Sequence, residues 1–130
     1  MSVEIRAEGF RQVVGDTSQL EQVATGFIFT EGAMWNGKTR ELVFSDIPGD
    51  IMRTWSAENG IKVFRQPSAK VNGNYFDLEG RLISCEHSKS RVVRQEHDGS
   101  LSVLATHYGD KELNSPNDVV VKSDGSIYFT

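Results

Sequence analysis

The chain alternates apolar and polar positions in runs too short for helices and well suited to β-strands. Ala33 to Trp35, Leu42 to Asp46, Ile51 to Trp55 and Ile61 to Arg65 are four such runs, separated by WNGKTRE, PGD and AENG. Gly and Asn in the separators supply the positive φ that tight turns need. The same order then returns. Leu42 opens LVFSD and Leu82 opens LISCE, 40 residues later; at that step Met52 recurs as Val92, Ile61 as Leu101 and Val63 as Val103. The turns of this second set are DLEG, HSKS and HDG. A third copy, IYFT, starts at Ile127, 45 residues after Leu82 and behind an SDG turn. Repeats of about 40–45 residues that hold several short strands predict the blades of a β-propeller.

This pattern predicts an all-β chain of about two and a half blades in one incomplete domain. Its parts are leading strands at 1–30, a blade at 31–66, a blade at 69–105 and a partial blade at 115–130. Residues 3–14 and 18–29 read as the leading strands, of the kind that complete a last blade and close a ring, and no stretch reads as a helix. Trp35 and Trp55 fall in blade strands and are expected in the core. Asp46 and Asp50 flank a Pro-Gly turn and are expected to belong to it. A ring of about six blades needs about 250 residues, so these 130 residues are expected to be the N-terminal part of a longer protein.

The repeat also aligns three polar side chains. Asn72 lies ten residues before Leu82, Asn117 ten before Ile127, and Glu31 eleven before Leu42. Each falls just ahead of, or at the start of, the strand that lines the central channel of a propeller. One carboxylate with amide oxygens is a hard-oxygen donor set, suited to Ca²⁺ and less so to Zn²⁺, which prefers Cys and His. The alternative is that each caps a turn, as Asn and Asp commonly do, and Asn72, followed by Gly73, could equally contact a substrate.

A net charge of −4 lacks the basic excess that binding to a phosphate backbone requires. Nucleic acid is therefore not an expected partner. No apolar stretch approaches the roughly 20 residues of a membrane span, and MSVEIRAEGF lacks a signal-peptide pattern, so no membrane partner and a cytoplasmic location are expected. Cys85, the only cysteine, reads as a buried small hydrophobe. His97 and His107 read as solvent-exposed turn residues. His87, after CE, is a candidate for the pocket, and Asp118, beside Asn117, reads as an orienting or turn-forming neighbour.

TEGAMW at Thr30 to Trp35, LVFSDIPGDIMRTW, VNGNYFDLEGRLISCEHSKSRVVR and LNSPNDVVVKSDGSIYFT together resemble the gluconolactonase family that includes senescence marker protein, nearest its bacterial branch. The resemblance implies a six-bladed propeller with a divalent metal at its axis, usually Ca²⁺ (Zn²⁺, Mg²⁺ and Mn²⁺ being the other candidates), and hydrolysis of a small-molecule sugar lactone. It implies Glu31 and Asn117 as metal ligands, with Asn117 also toward the substrate; Asn72, His87 and Asp118 are the further candidates for substrate contact. A further asparagine and an aspartate base would lie beyond Thr130, so residues 1–130 alone are expected to be inactive. Ser115 stands where the animal branch has a substrate-binding arginine. The alternatives are a phosphotriesterase-like metal hydrolase, a quinone-dependent sugar dehydrogenase, which would need basic and histidine side chains not identified here, and a non-catalytic propeller interaction module.

Overall fold

Strands follow one another here wherever a β-prone run is bounded by a residue able to take positive φ. The computed structural model describes residues 3–15 and 20–130. The first sheet is an antiparallel meander of β1 (Thr30–Asn36), β2 (Glu41–Asp46), β3 (Ile51–Ser56) and β4 (Gly60–Arg65). The second repeats it with β5 (Val71–Phe76), β6 (Leu82–Glu86), β7 (Arg91–Gln95) and β8 (Leu101–Ala105). A short hairpin of β9 (His107–Tyr108) and β10 (Lys111–Glu112) follows, and then β11 (Val119–Val121) pairs with β12 (Ile127–Phe129). The β9–β10 hairpin lies between β8 and β11 and accounts for the longer third step. The register confirms the repeat: Ser45 pairs with Met52 as Cys85 pairs with Val92.

Turn chemistry matches the separators only in part: Gly60 takes positive φ in AENG, but in WNGKTRE and PGD it is Arg40 at φ 57° and Asp50 at φ 53° that do so, not Gly37 or Gly49. Asp77 accepts the backbone N–H of Glu79 at 3.0 Å and of Arg81 at 2.8 Å, and Asp98 and Asp124 accept the N–H of Ser100 and Ser126, each at 2.9 Å. Such bonds hold the chain in a turn locally.

The core lies between the sheets. Val43, Met52, Val71 and Leu82 form one buried cluster between the first and second sheets, with Phe64 and Phe76 against it. Ile83, Cys85, Val92 and Val119 form the next, between the second sheet and β11–β12. Successive sheets thus stack face to face, each burying what its neighbour leaves open.

The leading region departs from the expected strands. Glu8–Val14 is a short helix, α1, with no buried residue, ended by Gly15 at φ 62°. Phe10, Val13 and Val14 recur at helical spacing, and no strand lies beside them to take up their backbone groups. Residues 18 and 19 lie outside the described residues, and residues 20–29 contain no strand. That segment is held instead by buried Asp46, whose carboxylate accepts the N–H of Ile28 at 3.2 Å and of Phe29 at 3.1 Å. Asp46 therefore anchors the leading segment, and Phe27 packs edge-on against Phe44 with ring centroids 5.1 Å apart.

Asp50 also reaches beyond its own turn. It accepts bonds from Ser68 Oγ at 3.0 Å and from the Lys70 N–H at 2.7 Å, which join the first sheet to the entry of the second. Trp35 is 49% exposed and Trp55 half-buried, rather than in a core. They pair through Leu42 with Ile61 on the face of the first sheet turned away from the second.

Candidate functional site

Two of the three inner strands, β1 and β5, enter with the same local distortion, and β11 follows them in register. Regular pairing breaks between Glu31 and Met34 in β1 and between Val71 and Asn74 in β5. Glu31 pairs with Ser45, and the Asn117 N–H donates to the carbonyl of Thr130, which stands three positions after Ile127 as Ser45 stands three after Leu42. The register therefore puts Glu31, Asn72 and Asn117 at one position of successive inner strands. A bulge of this kind re-aims the side chains on it.

The bulges touch one another. The Gly73 N–H donates to the Asn117 carbonyl at 2.7 Å, joining the second inner strand to the third. A Cβ at Gly32 would lie 2.0 Å from the Asn72 carbonyl oxygen, and one at Gly73 would lie 2.7 Å from the Asn117 carbonyl oxygen. Gly32 also takes φ 59°, a conformation glycine adopts without a Cβ penalty. Gly32 and Gly73, which follow Glu31 and Asn72, are thus close backbone contacts with the next inner strand, and they bring together backbone segments 40 or more residues apart in sequence.

Beneath them lies a buried polar network that the sequence reading missed. Asn74, 4% exposed, donates from Nδ2 to Ser45 Oγ at 2.9 Å and to the Gly32 carbonyl at 3.1 Å. Its Oδ1 accepts from Ser84 Oγ at 2.7 Å, and Ser45 Oγ donates to the Asn72 carbonyl at 3.0 Å. The available signal was the pair of hydroxyls, Ser45 and Ser84, in otherwise apolar strands. VNGN by itself reads as a turn.

Glu31, Asn117 and Asp118 are exposed and Asn72 is half-buried. Asp118 accepts the Val119 N–H at 2.9 Å, and its Oδ1 lies 2.5 Å from where a Cβ on Gly73 would sit. Glu31 borders a cleft of about 330 Å³ that also takes in Phe27, Leu42 and Trp55. Ser115 is at φ 50° ahead of buried Pro116, in the segment that delivers Asn117.

His87 starts a 3-10 turn, His87–Lys89, and is exposed at the end of β6. The structure draws no contact between its ring and Glu31, Asn72 or Asn117. Its neighbour Glu86 is buried and paired with Arg65 and Arg91, an ion cluster between the sheets. Among the described residues no three His, Cys, Asp or Glu side chains come together. Of the three residues that share a register position, Glu31 offers a carboxylate and Asn72 and Asn117 offer amide oxygens, the ligand type that hard cations take.

Face-to-face meanders around contacting inner strands, with the same bulge in the first two, define this as a stretch of β-propeller. The chain belongs to the SMP-30/Gluconolactonase/LRE-like family, whose model matches residues 29–130. It is similar to the gluconolactonase of Zymomonas mobilis subsp. mobilis, at 27% identity over 128 residues, covering 88% of this chain and 36% of that protein. Among solved structures it is similar to a gluconolactonase of Xanthomonas campestris, with 36% identity, a TM-score of 0.79, and coverage of 83% of this chain and 36% of that one. A virginiamycin B lyase of Staphylococcus aureus, at 16% identity and TM-score 0.62, covers 78% of this chain and 34% of its own, and shares the fold alone. The chain thus spans little more than a third of the length of these relatives. No helix among the described residues is long and apolar enough to cross a membrane.

Proposed function

We propose that this chain contributes part of the active site of a Ca²⁺-dependent sugar-lactone hydrolase. The observation that carries the reading is the shared register position of Glu31, Asn72 and Asn117 on inner strands whose backbones are in contact. Family membership supplies the lactone. When bound, Ca²⁺ supplies Lewis-acid polarisation of the lactone carbonyl and stabilises the oxyanion that follows water attack.

The residues of this chain have separable tasks in that scheme. Glu31 supplies the negative charge and would hold the cation. Asn117 supplies a neutral oxygen there, and its amide NH₂ can donate to a lactone oxygen. Asn72, half-buried on the next inner strand, would orient the substrate ring. Asp118 keeps the Asn117 segment in shape through its bond to Val119, and exposed His87 serves at the rim. One carboxylate leaves a dication under-neutralised. Residues 1–130 by themselves are therefore proposed to turn over no lactone.

The test is Ca²⁺-dependent hydrolysis of D-glucono-1,5-lactone by the 130-residue chain and by a version extended to the length of its relatives, each with and without Glu31→Gln. Activity is expected only in the extended protein. Glu31→Gln should lower it by at least about 100-fold, since loss even of a ligand's hydrogen-bonding partner costs about 10–100-fold. Mg²⁺, Mn²⁺ and Zn²⁺ in place of Ca²⁺ rank the cations. An extended protein inactive on the lactone with every cation would overturn the reading and favour a phosphotriester substrate or a binding role.

A further inference from the structure

We infer that Asn74 is a positioning residue for the axial site, setting the spacing between the bulges that carry Glu31 and Asn72. The inference rests on the axial-cation reading above.

The side-chain amide of Asn74 has two hydrogens and three acceptors within reach: Ser45 Oγ at 2.9 Å, the Gly32 carbonyl at 3.1 Å and the Asn72 carbonyl at 3.3 Å. Two of these acceptors are main-chain oxygens of the bulges themselves. Gly32 directly follows Glu31, and the third acceptor is the carbonyl of Asn72. The two carbonyls can only accept and so fix Nδ2 toward the bulges, and Ser84 Oγ donates to Oδ1 from the other side at 2.7 Å. One buried side chain therefore ties β1 to β5 through their bulges, and reaches β2 and β6 through the two serines.

Blade architecture does not demand an amide at this place. Val119 stands there in the third inner strand, paired with Phe129 as Asn74 is paired with Ser84, and Ala33 stands two residues after Glu31 as Asn74 does after Asn72. An apolar side chain fills the position in both other repeats. A buried polar group costs stability unless it is fully bonded. Here it is fully bonded, and its partners are the carbonyls on either side of the proposed donors. Its consequence is a fixed separation between Glu31 and Asn72.

The inference is tested in the full-length protein by measuring the Ca²⁺ dissociation constant calorimetrically, with the thermal midpoint and kcat and KM alongside. Asn74→Leu keeps the volume and removes the tie. Ser84→Ala removes only the bond to Oδ1 that steadies the amide from the β6 side and alters no residue of either bulge. Asn74→Leu is expected to weaken Ca²⁺ about 10–100-fold, as loss of a ligand's supporting partner does, and Ser84→Ala to weaken it by a smaller factor. A residue that merely held the blades together would lower the thermal midpoint and leave the affinity of the folded protein unchanged. Unchanged Ca²⁺ affinity in folded Ser84→Ala and Asn74→Leu would therefore overturn the inference while the cation reading stands. If Asn74→Leu does not fold, Ser84→Ala decides alone. A wild-type protein that binds no divalent cation would remove both.

Discussion

Cys85 lies on β6 between Ser84 and Glu86, with its sulfur inside the cluster of Ile83, Val92 and Val119 and none of its surface reaching solvent. Burial, with a smaller contribution from the negative charge of Asp118, pushes its thiol up to about 12 from an ordinary 9.0. The thiolate is the nucleophile, so raising the proton affinity lowers the reactive fraction at any pH below that value. At pH 8 the native protein is expected to react with a disulfide reagent roughly 1000-fold more slowly than the unfolded chain, and to release one full equivalent in denaturant. Rapid stoichiometric labelling under native conditions would contradict the packing around β6. This residue was legible in the sequence because Cys85 shares a face of LISCE with Ile83, two positions before it. Asn74 was not legible, because an asparagine beside a glycine looks like a turn former whether it faces water or a carbonyl. Only the pairing of β5 with β6 shows that Ser84 lies opposite it.

The strands of both meanders were readable because each element repeats a period of two and ends at a residue with turn chemistry. A strand also needs a partner, and that cannot be read from one segment. Residues 20–29 have strand-like composition, yet they are tied by the Asp46 carboxylate and by a main-chain bond from the Ile47 N–H to the Phe29 carbonyl, with no strand partner among the described residues. The contact between inner strands was equally hidden, since it depends on what glycine lacks. A methyl group at Gly73 would meet Asp118 Oδ1 at 2.5 Å, Asp118 Cα at 2.6 Å and the Asn117 carbonyl at 2.7 Å. Two of those atoms are backbone and cannot rotate away. Gly73→Ala is therefore expected to destabilise the protein by about 1–3 kcal/mol, the usual cost of overpacking, and, under the proposed cation site, to weaken Ca²⁺ binding by moving Asn117. Denaturant midpoints and calorimetry measure the two effects. A variant with wild-type midpoint and affinity would show that the second and third inner strands do not depend on this contact.

At the scale of the whole molecule, the physical question is what covers the outer faces of the stack. On the first sheet, Trp35, Leu42, Trp55 and Ile61 form a row across all four strands. Phe27 and the leading segment cover Phe44 but leave Trp35 49% exposed. At the other end Val120 is 48% and Tyr128 57% exposed on the two-stranded third unit. Contiguous apolar faces of this kind drive association, and a repeat draws much of its stability from the neighbour that covers it. The two end faces are also different surfaces, so pairing one with the other in a second copy is heterologous and does not close at a dimer. A polypeptide of residues 1–130 is therefore expected to form concentration-dependent oligomers of mixed size at tens of micromolar, visible as a rising weight-average mass in sedimentation velocity. Trp35→Glu should shift that distribution toward monomer without loss of the strand circular-dichroism signal, because the side chain it replaces contributes little to the interior. A wild-type chain that stays monomeric over that range would mean that the leading segment protects the first sheet more fully than its contacts with Asp46 and Phe44 imply.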